Sequence, residues 1–465
     1  MITLPTQLSK IMQSILNIGA SPVIVGGYVR DALMDQESKD IDIEVFGIDK
    51  LDDLVAVLHP FGSLKEVGKS FGVLKLSCED YELDISLPRV EKKIGRKHTD
   101  FSVTTHAQLS FKEAARRRDF RMNAIGYDVK SATLLDPYNG IGDIKERKIS
   151  HIDDKTFQED SLRVLRALGF AARFSFEIDH MTKELCKKMV QEGELSHLSK
   201  ERIFEEIKKI FLKAKKPSIA FHIADELGIN KELFPEIDAL KGVKQREEYH
   251  PEGDVFTHTL MALDVMSEFS SEDEKKKLIL MFATLCHDFG KATTTKLIEG
   301  VYRAYGHEVA GVEIAENFLR RMTDDKSLIE AVLPLVRYHG EPGKFYKENV
   351  SEAAIRRLAN RVNISLLVEV SRADSLGRTT KDALEGKFPA KEWLLQRADE
   401  LDVKQSAPKA ILLGRHLLEE GLKPSSEFKK ILDSAFEEQL EGKITTLDDA
   451  KKWLKKYLIQ LRTSN

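Results

Sequence analysis

Asp40 and Asp42 lie one residue apart in Lys39-Asp40-Ile41-Asp42-Ile43-Glu44-Val45-Phe46, a stretch of strict two-residue alternation. The strand this pattern predicts carries Ile41, Ile43 and Val45 on one face and Asp40, Asp42 and Glu44 on the other. Adjacent carboxylates repel, so the arrangement gains most when divalent cations sit between them. Just upstream, Val25-Gly26-Gly27-Tyr28-Val29-Arg30-Asp31 joins a short apolar run, Pro22 to Val25, to a helix expected over Tyr28 to Met34. The glycines then make a tight turn that aims backbone N–H groups and a helix N-terminus at one spot. Such a spot suits a phosphate, and Arg30 adds a charged donor in the first helical turn. Divalent cations beside a triphosphate make a phosphoryl-transfer site; for an isolated D-x-D the other reading is a solvated strand face.

Arg116-Arg117-Arg118-Asp119-Phe120-Arg121-Met122-Asn123-Ala124 follows a segment rich in Lys and Glu. Its arginines read either as a solvated face or as a grip on a triphosphate, with Asp119 and Asn123 supplying the acceptors and donors a ribose needs. In Glu159-Asp160-Ser161-Leu162-Arg163-Val164-Leu165-Arg166-Ala167-Leu168, expected to be helical, Asp160, Arg163 and Arg166 are spaced by three and fall along one face. Without context they are a string of intrahelical ion pairs. A second constellation comprises His258, the pair His287-Asp288 followed by Gly290-Lys291, and Asp374 in Ala373-Asp374-Ser375-Leu376-Gly377-Arg378. Imidazole with carboxylate is a ligand set for a divalent transition metal that activates water against a phosphoester, with Lys291 a candidate to stabilise developing charge. His307 and His339 are each open to three roles: further ligand, general acid or satisfied helical histidine. His250 is the weaker ligand candidate.

The Gly26-Gly27-Tyr28-Val29-Arg30-Asp31 run followed by Asp40-Ile41-Asp42 resembles the nucleotidyltransferase superfamily, and within it the class II tRNA nucleotidyltransferases, the CCA-adding enzymes, in their bacterial form with an attached HD domain. Arg117-Arg118-Asp119 through Asn123-Ala124 is similar to that family's R-R-D-x-x-x-N-A motif, with Arg121 where a smaller residue is common. Asp136-Pro137 through Asp143-Ile144 is similar to its D-P-x-x-G-x-x-D-L element, a hinge candidate, and Glu159-Asp160 through Arg163 to its E-D-x-x-R motif. The histidine and aspartate set looks like the HD phosphohydrolase family.

The resemblance implies Mg²⁺ at Asp40 and Asp42, with Asp84 as the third catalytic carboxylate unless it is merely an exposed strand residue. It also implies phosphates held by Gly26, Gly27, Arg30 and Arg118, a sugar at Asp119 and Asn123, and a base read by Asp160 and Arg163 with Arg166 close by. Cytosine and adenine both present an exocyclic amine beside a ring-nitrogen acceptor, whereas uracil and guanine present a carbonyl beside an N–H. A carboxylate with a guanidinium therefore accepts C and A without a nucleic-acid template. One departure is Gly169, where many relatives carry another arginine. The basic segment Val90 to Ala115 lies where relatives carry the loop that helps switch from CTP to ATP, an ordinary surface loop being the alternative.

The elements that must position these residues divide the chain of 465 residues. Strand-like runs at Pro22 to Val25, Ile41 to Phe46, Val73 to Leu76, Leu83 to Leu87, Ile125 to Val129 and Leu134 to Leu135 predict a mixed head. After Glu159 helical periodicity continues to the end with no convincing strand. The fold class expected is α+β: a mixed α/β, polymerase β-like nucleotidyltransferase head (1–150), then an all-helical neck and body (151–247), HD domain (248–395) and tail (396–465). Lysines 208, 209, 213, 215 and 216 form a basic patch in the body, a solvated face or a set of tRNA phosphate contacts. The tail carries Trp453 among lysines, open to RNA contact or packing.

A net charge of −4 gives no bulk attraction to nucleic acid, so any RNA surface is local. Cys78, Cys186 and Cys286 are scattered, without C-x-x-C spacing, which indicates neither a disulfide framework nor a zinc ribbon and fits a reducing cytoplasm. Met1 to Gly19 reads as a mildly amphipathic helix rather than a signal peptide, and no run approaches membrane-spanning length. The expectation is a cytoplasmic enzyme acting on tRNA with CTP and ATP, with no DNA or membrane partner; nothing fixes its oligomeric state. The rivals are an enzyme adding only A or only CC, a poly(A) polymerase disfavoured by Gly68 to Val73, and an HD phosphohydrolase whose head is a binding module.

Overall fold

The computed structural model describes residues 2, 4–67, 73–78, 81–93, 101–105 and 109–463. The contrast with poly(A) polymerase rests on 68–72, and part of the basic loop on 94–100 and 106–108; both lie outside the described residues. The chain forms two compact units, Met1–Ala214 with Ile219–Leu233, and Lys215–Ser218 with Phe234–Asn465.

The first unit is built on a mixed sheet of strands β1 (Ser21–Val25), β2 (Asp40–Phe46), β3 (Ser63–Val67), β4 (Val73–Cys78), β5 (Tyr81–Ser86), β8 (Gly126–Asp128) and β9 (Thr133–Leu135), in the order β3-β4-β5-β2-β1-β8-β9. Strand β2 pairs parallel with β5 and antiparallel with β1. The alternation read from the sequence sets its two faces. Ile41, Ile43 and Val45 are buried in a core with Leu8, Ile11, Met12 and Ile15 of the Thr6–Asn17 helix, while Asp40 and Asp42 face outward. The N-terminal amphipathic helix is therefore a lid on the sheet's apolar side.

Some expectations are corrected. β3, with only Leu64 and Val67 apolar, carries too weak a pattern to be seen in sequence. The segment from Val90 to Ala115, read as turn-like, contains a separate antiparallel ladder of β6 (Arg89–Lys93) and β7 (Phe101–Thr105). The region after Glu159 is not free of strands. The two-residue β10 (Lys148–Ile149) pairs with β11 (Glu177–Ile178), and in the second unit β12 (Lys296–Ile298) pairs with β13 (Val301–Arg303). The turn of that hairpin, Glu299-Gly300, has positive φ at both residues, 51° and 76°, the type I′ pattern whose twist matches that of flanking strands.

The rest of the second unit is helical. Helices Val255–Ser267, Glu274–Cys286, Lys326–Tyr338 and Ile364–Leu376 bury Leu260, Phe282, Leu335 and Leu367, and carry or end beside the histidine and aspartate set. The tail has its own apolar cluster, including Leu417, Ile431, Ala450 and Leu454. Trp453 packs against it and stacks on Tyr457 at 4.7 Å between centroids, so a packing role accounts for this side chain.

Candidate active sites

On the polar face of β2, Asp42 stands directly opposite Asp84 of β5 across the parallel register, and Asp40 lies one pleat away. Burial pushes the Asp42 carboxyl up from its usual range, and Asp84, Glu44 and Asp40 reinforce the rise against the opposing pull of Arg118. A carboxyl pushed up by burial and by the carboxylates beside it belongs to a donor set that fits divalent cations. Gly26, at φ 72°, begins the turn before the Gly27–Leu33 helix. A Cβ there would fall 2.9 Å from Arg118 Nη1 and 3.3 Å from Asp42 Oδ2, so only glycine lets the turn, the guanidinium and the carboxylate meet.

These groups open onto a cavity of about 460 Å³. Gly26, Gly27 and Asp42 line one side with Arg118; Asp119 and Asn123 form part of the wall, and Asp160, Arg163 and Arg166 complete it with Arg30. Ten of the residues singled out in the head and neck therefore converge, and Asp40 and Asp84 adjoin them through the sheet register.

A hydrogen-bonded chain holds the wall rigid. Asp119 accepts from Arg166 Nε at 2.7 Å, from Asn123 Nδ2 at 2.8 Å and from the Phe120 amide at 2.8 Å. Burial disfavours its charge, but Arg166, Asn123 and Arg163 together outweigh this and hold the carboxyl below its usual range. Asn123 accepts in turn from Arg30 Nη1 at 2.6 Å, Arg30 Nε donates to Asp31 at 2.8 Å, and Arg173 donates to Asp31 at 3.0 Å. Arg30 is buried and lies over the Phe170 and Phe174 rings at 5.2 and 4.9 Å. It thus ties the glycine turn to the Leu162–Phe174 helix as well as lining the cavity.

That helix begins at Leu162, so Asp160 is not on its face as the spacing predicts but in the turn before it, accepting from the Leu162 amide at 3.2 Å. Two partners were missed by sequence reasoning. Arg202 donates to both Asp160 oxygens at 2.9 and 3.0 Å, from a helix whose charges read as a solvated face. Glu44 accepts from Arg117 and Arg118, each at 2.9 Å. Strand alternation had put Glu44 on the right face; its burial depends on where the arginines lie. Arg163 donates to the Thr156 and Arg117 carbonyls, both at 2.6 Å.

In the second unit Asp288 is the centre of a buried cluster. His287 Nε2 lies 3.2 Å and His258 Nε2 3.8 Å from its Oδ2; His307 Nε2 lies 3.5 Å and His339 Nε2 3.8 Å from its Oδ1. Asp374 Oδ1 is 3.1 Å from His258 Nε2. Both second-choice histidines, His307 and His339, therefore join the four expected groups. His287, His307 and His339 each place Nδ1 2.7 to 2.8 Å from a backbone carbonyl three residues earlier. That contact fixes Nδ1 as the protonated nitrogen and leaves Nε2 facing the centre with a lone pair.

His287 Nε2 and Asp288 Oδ1 are buried without a hydrogen-bond partner, the state of atoms that a metal would complete. The donor atoms fall in three groups: His250 with Glu252 and His258, His258 with His287 and Asp374, and Asp288 with His307 and His339. Gly290 permits the close turn, since a Cβ there would lie 2.0 Å from the His307 carbonyl oxygen. Lys291 Nζ is 2.6 Å from Asp288 Oδ2 and donates to Gln245 Oε1 at 2.8 Å. Glu252, unanticipated, lies with Oε1 2.9 Å from both His258 Nδ1 and His250 Nδ1. Burial opposes its charge, but hydrogen bonds from His250 and His258 hold its carboxyl well below the usual range.

An acidic β2–β5 pair, a glycine turn and a buried His/Asp cluster on separate units define a nucleotidyltransferase joined to an HD domain. The family described as the poly A polymerase head domain matches residues 23–150, the probable RNA and SrmB- binding site of polymerase A matches 175–241, and the HD domain matches 255–379. The multifunctional CCA protein of Pasteurella multocida (strain Pm70) is 34% identical over 385 residues, 80% of this chain and 87% of that protein. The Bacillus stearothermophilus CCA-adding enzyme in complex with CTP shares the fold at a TM-score of 0.69 and 18% identity, covering 99% of this chain and 100% of that one. The Thermotoga maritima CCA-adding enzyme complexed with tRNA does so at 0.59 and 20%, covering 98% and 96%. The chain belongs to the multifunctional CCA protein family, the CCA-adding tRNA nucleotidyltransferases that carry an HD domain.

Proposed function

We propose that this chain adds C, C and A to tRNA 3′ ends from CTP and ATP, releasing pyrophosphate, and that its HD domain hydrolyses phosphoesters. The observation that carries the first activity is the single cavity joining the glycine turn, Asp42, Arg118 and the Asp160–Arg163 pair. Asp40 and Asp42, with Asp84 beside them, would hold Mg²⁺. Bound there, Mg²⁺ supplies the positive charge that favours ionisation of the tRNA 3′-hydroxyl and neutralises the triphosphate. The Gly26-Gly27 turn and Arg118 orient the phosphates, Asp119 and Asn123 the sugar, and Asp160 and Arg163 the base. Arg166 keeps Asp119 ionised and in place.

The head would span 1–150, the neck and body 151–247, the HD domain 248–395 and the tail 396–465. Lysines 209, 213, 215 and 216 are exposed and fit contacts to tRNA phosphates. In the HD domain His258, His287, Asp288 and Asp374, joined by His307 and His339, would hold a divalent transition metal that activates water. Lys291 is positioned to offset charge on the phosphoester. No described helix is long and apolar enough to cross a membrane, and a cytoplasmic setting fits a tRNA substrate.

Three tRNA transcripts, ending at the discriminator base, after C and after CC, are incubated with Mg²⁺ and CTP, ATP or both and resolved at single-nucleotide length. Growth of all three to a CCA end is expected. Extension of only the CC-ended transcript, or arrest after CC, would instead assign the chain a partial activity, and no extension would overturn the reading of the head.

A further inference from the structure

Phe170 follows Arg166 by about one turn on the Leu162–Phe174 helix. The guanidinium groups of Arg166 and Arg30 both lie over its ring, each 5.2 Å from the centroid. They arrive from different elements, Arg166 from this helix and Arg30 from the Gly27–Leu33 helix after the glycine turn. Two cations drawn to one ring repel each other, so their convergence needs the ring's negative face and a carboxylate behind each. Those carboxylates are Asp31 for Arg30 and Asp119 for Arg166, at 2.6 Å in each pair.

The same two arginines hold the residues read as the sugar contacts. Arg166 Nε donates to Asp119 at 2.7 Å, Arg30 Nη1 to Asn123 at 2.6 Å, and Asn123 Nδ2 to Asp119 at 2.8 Å. With Phe170 these residues close a circuit: Arg30, Asn123, Asp119, Arg166, Phe170 and back to Arg30. Phe170 is the link with no polar group in its side chain, and it joins the arginine of the phosphate turn to the arginine of the neck helix. Its own place is fixed by Phe120, edge-on at 5.7 Å, and by Phe174, stacked at 5.9 Å. It lines the neighbouring pocket of about 180 Å³ rather than the nucleotide cavity, so whatever it does for the nucleotide it does through the other members.

We propose that Phe170 is a positioning residue for the choice of ribose over 2′-deoxyribose: by gathering Arg30 and Arg166 over one ring it keeps Asp119 and Asn123 where they meet a sugar hydroxyl. A polar site rejects an analogue that lacks the hydroxyl because its own groups are then left unpaired, and that penalty exists only where those groups are held still. Asn123 spends one of its two amide hydrogens on Asp119, and the other serves the sugar. The inference rests on reading Asp119 and Asn123 as the sugar contacts. Base reading stands outside the circuit, since Asp160 is held by Arg202, and Arg163 donates to the Thr156 and Arg117 carbonyls.

The test measures kcat/KM of the full-length chain with Mg²⁺ for CTP, dCTP and UTP on a transcript ending at the discriminator base. A desolvated cation–π contact is worth up to about thirtyfold in an equilibrium. Because Phe170 is half-buried, Phe170→Leu is expected to lower the ratio of CTP to dCTP by about tenfold. The loss falls on CTP, with dCTP and the ratio of CTP to UTP as in wild type, and Phe170→Tyr, which keeps the ring, restores it. A general loosening of the helix would instead lower CTP and dCTP together. Urea midpoints check that the variants fold, and Phe170→Met replaces Phe170→Leu if the latter does not.

Asp119→Asn separates this proposal from the reading beneath it. If Asp119→Asn collapses the CTP to dCTP ratio and Phe170→Leu leaves it unchanged, or if Phe170→Leu lowers CTP and dCTP alike, the role of Phe170 is overturned and the sugar contacts stand. If wild type does not distinguish CTP from dCTP, or Asp119→Asn keeps the full ratio, the sugar reading falls and takes the proposal with it. Should no nucleotide be incorporated, equilibrium dialysis of CTP and dCTP against wild type and Phe170→Leu decides: a preference for CTP that weakens in the variant supports the proposal, and an equal preference overturns it.

Discussion

Glu44 Oε1 accepts hydrogen bonds from Arg118 and Arg117, each at 2.9 Å, although the residue is only 1% exposed and sits one pleat beyond Asp42 on the same strand face. The third carboxylate of the acidic face is thus spent on holding the arginine that faces the phosphates. Burial alone would raise its pKa, but the two guanidinium groups hold it below its usual 4.5.

A depressed pKa adds stability that is fully present above the unfolded-state value and is lost as pH falls through the folded value. Wild type is therefore expected to lose more stability than Glu44→Gln on acidification below about pH 4.5, read as urea midpoints of the first unfolding transition at pH 7 and pH 4. Glu44→Ala, which leaves both arginines unpaired, is expected to cost about 3 kcal/mol at pH 7 and to raise the KM for CTP and ATP. Equal acid sensitivity of wild type and Glu44→Gln would show that this pair contributes nothing.

Asp160 keeps its place by pairing with Arg202 while its oxygens remain on the cavity wall. If it accepts from the exocyclic amine of C and A, Asp160→Ala removes the element that distinguishes these bases from U and G. A base-edge pair of this kind is worth about 1–3 kcal/mol of discrimination. The ratio of kcat/KM for CTP over UTP on a transcript lacking CCA is expected to fall by roughly tenfold or more. A uniform loss across all nucleotides would assign Asp160 a structural role.

What was legible in the sequence is what repeats with a fixed period or stands in one compact motif. The two-residue alternation around Asp40 gave β2 and its faces, and the glycine pair gave the turn. Arg202 and Glu44 were not legible as site residues, because each acts through a partner distant in the chain, Asp160 for the first and Arg117 and Arg118 for the second; Glu252 is near His250 and His258 in the chain, but the loop that turns its carboxylate onto both rings exists only in the fold. His307 and His339 stood between, since a histidine's role depends on where its Nε2 points, and the Nδ1 contacts to backbone carbonyls that decide it exist only in the folded chain. Asp160 was placed on a helix it precedes because a spacing of three cannot locate a helix's first residue.

Glu252 bridges His250 and His258, and its other oxygen accepts from the Thr379 amide at 3.2 Å. A carboxylate behind a ligand imidazole fixes its tautomer and raises its basicity. Glu252→Gln is expected to weaken divalent-metal affinity by about 10- to 100-fold, measured by competition with a chelating dye, while CCA addition is retained. Undiminished affinity would make Glu252 a packing group only.

The two centres are separable by paired substitutions. Asp40→Ala with Asp42→Ala is expected to abolish nucleotide incorporation and leave metal-dependent phosphoester hydrolysis in place; His287→Ala with Asp288→Ala is expected to do the reverse. Incorporation persisting in the first variant would mean that the acidic pair is not the site.

Gly169 lies inside the Leu162–Phe174 helix and borders a pocket of about 180 Å³ lined by Arg30, Arg166 and Arg173 among others. A Cβ there would meet only Ile210 at 3.7 Å and Glu206 at 3.9 Å, ordinary contact distances. Glycine in a helix interior costs about 0.5–1 kcal/mol relative to alanine. Gly169→Ala is therefore expected to stabilise the first unit by about that amount, seen as a higher urea midpoint. Because the added methyl reaches neither Asp160 nor Arg163, the CTP to ATP preference should stay as in wild type; a shifted preference would show that space beside Arg166, and not only its charge, tunes the choice of base.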